Sequence, residues 1–253
     1  MKRLIPVIVL AIMLTGNSAI AAEATATLDL NSAYVWRGIT INDTWVAQPS
    51  VDVASDKGFG FNVWGNFDFD DEYAEGFLGK NDFSEVDLTV YYNTTVDKVD
   101  LGIGLIEYLF PNAGTGNTRE LYASVGMGII DGLSAGLTIY WDFDEHHGFY
   151  TDLNLTYGYD INEQLGLEVG GNIAYATEEF ARWYGLNETL EAGFYNYGLS
   201  LCLNYSLTEV ISVGANINYV GTMDEDALPE AKNNGGTGVD TEVFGGVSVS
   251  YAF

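Results

Sequence analysis

Apolar residues recur at every second position along most of the chain from residue 28 onward. Val86, Leu88 and Val90, for example, alternate with Asp87 and Thr89. A period of two residues places successive side chains on opposite faces of a β-strand. About twelve segments share this period. The pattern therefore predicts an all-β chain whose strands have one apolar face and one small, polar face.

The first of these segments is predicted to run from Leu28 to Arg37 as a single strand. Tyr34 and Trp36 fall on its apolar face, whereas Asp29 and Arg37 fall on its polar face. The position of Arg37 near the end of this strand leaves two roles open. It could form a constriction that selects solutes by charge, or a structural ion pair that ties the first strand to a neighbour.

The connections between the segments alternate regularly in length. Tight turns are predicted at residues 55–58, 95–97, 131–132, 160–163 and 208–209, and longer polar connections at 38–44, 70–82, 110–118, 144–148, 177–192 and 221–240. In an antiparallel meander, this alternation gathers all long loops at one end and both chain termini at the other. It predicts an up-and-down barrel with periplasmic N- and C-termini, as in outer-membrane barrels.

The period alone does not tell whether the apolar face meets lipid or the core of a soluble sandwich or lipocalin-like barrel. A lipid-facing barrel is favoured because the other face is uniformly small, Gly-rich and acidic, and because closure pairs every backbone group in hydrocarbon. Aromatic residues near strand ends are also typical of interfacial girdles. These residues are Tyr34, Trp36, Trp45, Trp141, Tyr157, Tyr159, Tyr175 and Tyr219.

The first 21 residues have the three parts of an export signal. Lys2 and Arg3 supply positive charge, residues 4–14 form a short apolar run, and Ala19 and Ala21 frame a small-x-small cleavage site. A retained transmembrane helix is disfavoured because it needs roughly 20 apolar residues. We expect cleavage after Ala21, leaving residues 22–253 as a single barrel domain exported to the bacterial outer membrane.

Charge and cysteine content exclude several classes of function. The chain has 9 Lys and Arg against 36 Asp and Glu, a formal net charge of −27, which repels nucleic-acid phosphates. Cys202 is the single cysteine, so neither an intrachain disulfide framework nor a paired-cysteine zinc site is expected. The partners expected instead are outer-membrane lipid and lipopolysaccharide around a monomeric barrel, with small cationic solutes in its lumen.

Several segments of the first half resemble a known family. They are residues 32–40, which contain Tyr34-Val35-Trp36-Arg37-Gly38, residues 48–50, 58–66 and 107–108, and residues 120–122. Together they resemble the TorF or Gcw-type porin family of bacterial outer-membrane proteins. The resemblance implies a small outer-membrane barrel of porin type and supplies no catalytic residues. It does not extend to residues 223–238, so any specificity carried by that loop stays open.

The end of the chain carries a second resemblance. Val247, Val249, Tyr251 and Phe253 share one face of the last predicted strand. They resemble the C-terminal strand signal that the bacterial barrel-assembly machinery recognises. This implies an interaction of that machinery with the strand that ends at Phe253.

An outward apolar face turns the polar positions toward the lumen. The candidate pore-lining residues are Asp29, Arg37, Asp68, Glu85, Asp87, Glu120, Asp142, Asp152 and Glu168. Carboxylates around a pore favour cations. A barrel of about twelve strands lies between the small barrels that side chains fill and the wide porins. We therefore predict a narrow, cation-preferring diffusion channel for small solutes, with no enzymatic activity and no cofactor; whether its lumen is open or plugged stays undecided.

Other functions remain as alternatives. The barrel could be a closed structural or adhesive protein that acts through its extracellular loops. It could also be a rim hydrolase with His146 or His147 as general base beside Asp142 and Asp144, although no serine lies next to them in sequence. The acidic clusters at 68–72 and 224–226 lack the spacing of a calcium loop, so no metal site is predicted.

Overall fold

A computed structural model describes residues 22–70, 80–112 and 116–253. The predicted signal peptide, residues 1–21, lies outside the described residues, as do Asp71 and Glu72 of the first acidic cluster. In the described part of the chain, no helix combines the length and the apolar character that crossing a membrane requires.

Strands dominate the described residues. They are β1 (Ala22–Asn31), β2 (Tyr34–Trp36), β3 (Ile39–Asn42), β4 (Val46–Ser55), β5 (Phe59–Asp68), β6 (Asp82–Val96), β7 (Val99–Leu109), β8 (Thr118–Ile130), β9 (Leu133–Asp142), β10 (Phe149–Asp160), β11 (Leu165–Ala176), β12 (Gly193–Ser206), β13 (Ile211–Thr222) and β14 (Val243–Ala252). One helix, α1 (Glu178–Tyr184), and a 3-10 turn (Ala231–Asn233) lie in the connections.

Twelve of these strands, all except β2 and β3, close into an antiparallel barrel. Each strand pairs with its neighbours along the chain, and β1 closes the cylinder by pairing with β14 on one side and β4 on the other. The prediction of an up-and-down barrel of about twelve strands is confirmed. Closure leaves no strand edge unpaired, which is the condition for a sheet to sit in hydrocarbon.

The apolar face of the barrel points outward. Leu101, Val125 and Leu203 leave 41%, 40% and 41% of their surface exposed, although each lies within a paired barrel strand. The alternate residues, such as Gly102 and Ser124, line the interior. The barrel therefore has the lipid-facing arrangement of an outer-membrane barrel and not the inward apolar core of a lipocalin-like one.

The two ends of the barrel differ as the loop pattern predicts. The connections after β4, β6, β8, β10 and β12 are tight, whereas the connections after the intervening strands are long and lie at the opposite end. Three of the long connections, residues 32–45, 177–192 and 223–242, fold over and into the barrel mouth. We call these three connections the plug.

A compact apolar core holds the plug in place. Phe180, Leu190 and Leu228 of the plug are almost completely buried against Tyr150 and Tyr195, which project from the barrel wall. The complete cluster of buried apolar residues is Ile39, Tyr150, Ala174, Ala176, Phe180, Ala181, Leu190, Tyr195, Val220, Ala227, Leu228 and Val239. Among the described residues, this apolar core thus forms where the plug packs against the barrel wall at the mouth.

The predicted first strand from Leu28 to Arg37 was wrong. The barrel strand β1 ends at Asn31, and β2 and β3 form a hairpin of the plug whose turn has left-handed backbone at Arg37 and Gly38, with φ of 49° and 87°. Residues 32 and 33 interrupt the strand, but the residues of the predicted apolar face before and after them all fall at even-numbered positions. The two-residue period therefore continues through the interruption, and the sequence pattern does not reveal it.

The aromatic girdle prediction was wrong for Tyr34 and Trp36, which lie on the β2–β3 hairpin. Tyr34 is buried, and Trp36 packs against Tyr184 of α1 with ring centroids 4.7 Å apart. Both belong to the plug because the hairpin that carries them turns inward. The remaining predicted residues that are exposed on the outer face are Trp45, Trp141, Tyr157, Tyr159 and Tyr175.

Candidate functional site

Arg37 lies at the turn of the β2–β3 hairpin and forms a bidentate ion pair inside the barrel. Its two terminal nitrogens donate to the carboxylate of Glu120 on β8 at 2.8 and 2.7 Å. Tyr108 on β7 donates its hydroxyl to the same carboxylate at 2.9 Å. The ion-pair alternative for Arg37 is therefore observed, but it joins the plug to β8 and not β1 to an adjacent strand.

Aromatic rings surround the guanidinium of Arg37. It lies 4.1 Å from the ring centroid of Tyr140, 4.4 Å from that of Trp36 and 4.7 Å from that of Tyr150. Burial disfavours the charged guanidinium, but Glu120, Tyr108 and Tyr140 together outweigh this effect and raise the pKa of Arg37 well above its usual range. Stacking and a bidentate carboxylate are the interactions that suit arginine and not lysine.

Five carboxylates from β5, β6, β8 and β9 line the side of the barrel mouth that faces the β2–β3 hairpin. We call this set the acidic wall: Asp68, Glu85, Asp87, Glu120 and Asp142. All except Asp87 are buried. Asp68 Oδ2 and Asp87 Oδ1 have no hydrogen-bond partner among the described residues. The carboxyl groups of the acidic wall are concentrated where the plug meets the lumen.

Hydrogen bonds attach the plug to the acidic wall at two further points. Asn42 of β3 donates its amide to Asp68 Oδ1 at 2.7 Å. The hydroxyl of Tyr34 donates to Glu85 Oε2 at 2.9 Å. Burial, together with Glu85 and Asp87, raises the pKa of Tyr34 well above its usual range, so the phenol stays a donor. Arg37, Asn42 and Tyr34 together hold the hairpin against one side of the barrel.

Asp142 organises the loop at residues 143–148. Its Oδ1 accepts the backbone N–H groups of Asp144, Glu145 and His146, and its Oδ2 accepts the hydroxyl of Thr118 at 2.6 Å. A carboxylate that accepts several N–H groups stabilises a tight loop.

His146 connects this loop to α1. Its Nε2 lies 3.2 Å from Asp142 Oδ2, and its ring stacks on Trp183 with centroids 3.9 Å apart. Burial lowers the pKa of His146, although Asp142 opposes the shift. His147 is exposed with a left-handed φ of 58°. The hydroxyl of Thr118, which contacts the same carboxylate as His146, donates to Asp142.

The other three predicted pore-lining residues lie outside the acidic wall. Asp29 on β1 pairs in register with Gln48 and Ser248, and Glu168 on β11 lies beside Cys202. Asp152 on β10 accepts the side-chain amides of Asn154 at 3.3 Å and Asn172 at 2.5 Å. The sequence-predicted set is thus split between the barrel mouth and the rest of the lumen.

Amide side chains line the opposite part of the lumen. We call Asn154, Asn172, Asn196 and Asn218, from β10 to β13, the amide wall; they border a cavity of about 380 Å³ together with Arg37, Tyr140, Tyr150 and Asp152. A second cavity of about 680 Å³ lies toward the tight turns and is lined by residues such as Lys57, Ser124 and Thr138. The cavities adjoin, because Thr138 pairs with Asp152.

Several functional residues were missed in the sequence. A β-bulge in β12 places both Tyr195 and Asn196 opposite Ala174, so two consecutive side chains are buried at the mouth. The helix α1 was also missed, although Phe180, Trp183 and Tyr184 have the i, i+3, i+4 spacing of a helix face. This signal was present in residues 177–192, where only a long loop was predicted.

Comparison with known proteins gives one family and a set of similar folds. The model of the family described as "Bacterial protein of unknown function (Gcw_chp)" matches residues 16–227. No curated protein matches the sequence.

Solved outer-membrane structures share the fold. The NanC porin is 13% identical, with 91% of this chain and 99% of that chain covered at a TM-score of 0.55. The KdgM porin is 10% identical, with the same coverages and a TM-score of 0.54. An outer membrane channel from Pseudomonas putida F1 is 9% identical, with 93% and 97% covered at a TM-score of 0.52. At such identities the likeness shows the fold alone.

Proposed function

This chain belongs to the Gcw_chp family of bacterial proteins, and from its porin-like barrel we propose that it is a narrow, cation-preferring channel for small solutes in the outer membrane. The observation that carries this proposal is a polar lumen with adjoining cavities of about 380 and 680 Å³ inside a barrel whose outer face is apolar. A lumen of this size that is lined by hydrogen-bonding groups provides a path for hydrated solutes.

The cation preference is supported by the charge of the interior. Asp152 borders the first cavity, Asp29 lies on the inner face of β1, and the acidic wall stands at the mouth. The opposing charge of Arg37 is compensated by Glu120. Fixed carboxylates in a pore attract cations and repel anions, and the net charge of −27 has the same effect at the entrance.

The plug limits how solutes pass the loop end. Its apolar core, which includes Phe180 and Leu228, and the Arg37–Glu120 pair occupy the barrel mouth. We expect small single-channel steps for this reason, and larger steps when the plug is loosened. The same observation favours one second candidate, a closed structural or adhesive barrel that acts through its loops.

The surroundings of His146 support a non-enzymatic role. Its Nε2 faces Asp142 and its ring is covered by Trp183, so this imidazole serves to fasten the loop to α1. A general base needs a nucleophile within hydrogen-bond reach, and the neighbouring Thr118 hydroxyl is already donated to Asp142.

Placement and partners form part of the proposal. We propose export through a signal peptide at residues 1–21, assembly through β14 and Phe253, and insertion as a monomer with both termini on the periplasmic side. Support comes from the even number of barrel strands and from the position of the tight turns at the end where β1 begins and β14 finishes. The long loops would then face lipopolysaccharide.

Planar-bilayer recording of the refolded protein tests the proposal. We expect discrete conductance steps and a reversal potential displaced toward the cation equilibrium potential in a KCl gradient. Asp152→Asn should reduce that displacement, whereas Asp131→Asn, at the tight β8–β9 turn, should leave it unchanged. Conductance steps without cation preference would contradict the proposed selectivity. The absence of any conductance steps would contradict the channel and favour the closed barrel.

A further inference from the structure

The 380 Å³ cavity has an unusual chemical lining for an acidic protein. Its charged side chains are Arg37 and Asp152, and amides from four successive strands, β10 to β13, supply most of its other polar groups. The rings of Tyr140 and Tyr150 form the boundary toward the plug. Amides both donate and accept hydrogen bonds, so the wall suits a ligand whose groups also do both.

The bonds within the protein leave part of two amides available. Asn172 donates its Nδ2 to Asp152, and Asn218 donates its Nδ2 to Asn216 at 2.8 Å. Each Nδ2 has a second N–H group, and among the described residues neither Oδ1 accepts a hydrogen bond within the protein. Asn196 accepts the hydroxyl of Tyr150 and is only 3% exposed, so it supports the wall and does not face a ligand. Acceptors and donors on β11 and β13 therefore remain for a ligand.

A glycine makes room for the amide of Asn172. A Cβ at Gly198 would overlap Asn172 Oδ1, so the absent side chain lets the amide lie against the barrel wall. The cavity therefore keeps its width while its surface carries polar groups. A volume of about 380 Å³ is at the lower end of the usual range for small-molecule sites, roughly 300–1,000 Å³.

The charges of the cavity disfavour an acidic ligand. Both terminal nitrogens of Arg37 are bonded to Glu120, and its faces are covered by Trp36 and Tyr140. The guanidinium thus has no free pair of donors for an external carboxylate or phosphate. Asp152 would repel such a group directly. A neutral ligand rich in hydroxyl groups avoids both penalties.

We propose that this cavity is a binding site for a neutral mono- or disaccharide. Sugar hydroxyls, which donate and accept, would bond to Asn172 and Asn218, and the carboxylate of Asp152 would accept a further hydroxyl. The half-buried ring of Tyr140, which borders the cavity, would contact the C–H face of the sugar ring. This inference rests on the proposed channel function and deepens it by naming a neutral solute that the cation-preferring lumen would bind in addition to cations.

Isothermal titration of the refolded full-length chain in detergent micelles tests the site, with maltose as the probe. We expect saturable binding in the millimolar range, and none with digalacturonate, which has a similar size but carries carboxylates. Asn172→Ala should weaken maltose binding about tenfold, the effect of about one lost hydrogen bond. The matched control is Asn204→Ala, on the inner face of β12 but outside this cavity.

Folding and function are separated by two further measurements. Heat-modifiable mobility on gels shows whether each variant is a folded barrel, and Asn218→Ala provides a second cavity variant on a different strand. The proposed site would be overturned if Asn204→Ala weakened maltose binding as much as Asn172→Ala does. It would also be overturned if digalacturonate bound at least as tightly as maltose. Conductance steps without maltose binding would contradict the sugar site and leave the channel proposal intact. Maltose binding without conductance steps would contradict the channel proposal and leave the sugar site intact.

Discussion

The guanidinium of Arg37 and the carboxylate of Glu120 form a buried bidentate pair that joins the tip of the β2–β3 hairpin to β8. The two contacts measure 2.8 and 2.7 Å, and the side chains are 9% and 1% exposed. The hairpin follows β1, and β8 lies five strands away around the barrel, past β4, β5, β6 and β7. This pair therefore spans the mouth and decides where the plug sits.

Breaking this pair should destabilise the plug strongly. Glu120→Gln leaves Arg37 as a buried charge without its counterion, which costs about 3–5 kcal/mol. The exposed rim pair between Arg119 and Glu107, at 3.0 Å, provides the control, and Glu107→Gln should cost under about 1 kcal/mol. Urea unfolding in micelles measures both values, and single-channel recording should show larger steps for Glu120→Gln only. Similar losses in the two variants would show that the buried pair does not anchor the plug.

A methyl group at Gly38 should displace the hairpin. A Cβ at this position would lie 2.7 Å from Leu228 Cδ2 and 2.9 Å from Asn196 Cβ. Gly38→Ala therefore combines backbone strain, at a φ of +87°, with overpacking that costs about 1–3 kcal/mol. Gly236→Ala is the matched control, because Gly236 also has a positive φ, +99°, but a Cβ there would meet no atom within 4 Å. Unfolding midpoints should fall further for Gly38→Ala; equal midpoints would mean that the contact with Leu228 is loose.

The packing of α1 should weaken in mild acid through His146. Burial lowers the pKa of this histidine in the folded protein, although Asp142 and Glu120 oppose the shift and His147 adds to it. The unfolded chain, with a pKa of about 6.5, therefore binds the proton more readily. The stability that neutral His146 contributes is present above about pH 6.5 and is lost as the pH falls through the lower folded pKa.

Hydrogen exchange of residues 177–192 measures this effect. Protection factors, which correct for the fall of the intrinsic exchange rate with falling pH, should decrease between pH 7 and about pH 5 in the native chain, and His146→Gln should remove most of that decrease. His147→Gln changes an exposed imidazole and should preserve it. A pH profile that is unchanged by His146→Gln would assign the weakening to another group.

Lipid contact should alternate along β8 with the side-chain period. Fluorophores can be attached to Val125→Cys and Ser124→Cys in a Cys202→Ser background, which removes the single native thiol. Brominated lipid should quench the probe at position 125, whose native side chain is exposed on the outer face, and a water-soluble quencher should reach position 124, which lines the larger cavity. The reverse result would place the apolar face inside and would rule out a lipid-facing barrel.

Much of the architecture could be predicted because it is recorded in local periodicity. Leu101, Val125 and Leu203 alternate with small or polar neighbours, and the alternation of tight and long connections already implies a meander that closes. The inward direction of Asp68, Glu85, Glu120 and Asp152 followed from the same parity. Each of these features depends on neighbouring residues along one strand, so the chain itself carries the signal.

The sequence by itself determined the barrel: the strand period, the outward apolar face and the polarity of the lumen. Only the tertiary structure decided that Tyr34, Trp36 and Arg37 leave the wall and enter the mouth, that α1 covers His146, and that the bulge at Tyr195 and Asn196 turns both side chains inward. These features arise from contacts between residues far apart along the chain, such as Arg37 with Glu120. A strand that continues and a strand that ends and folds back can show the same two-residue period of apolar residues. The energy of the distant contacts therefore decides whether the chain stays in the wall or enters the mouth.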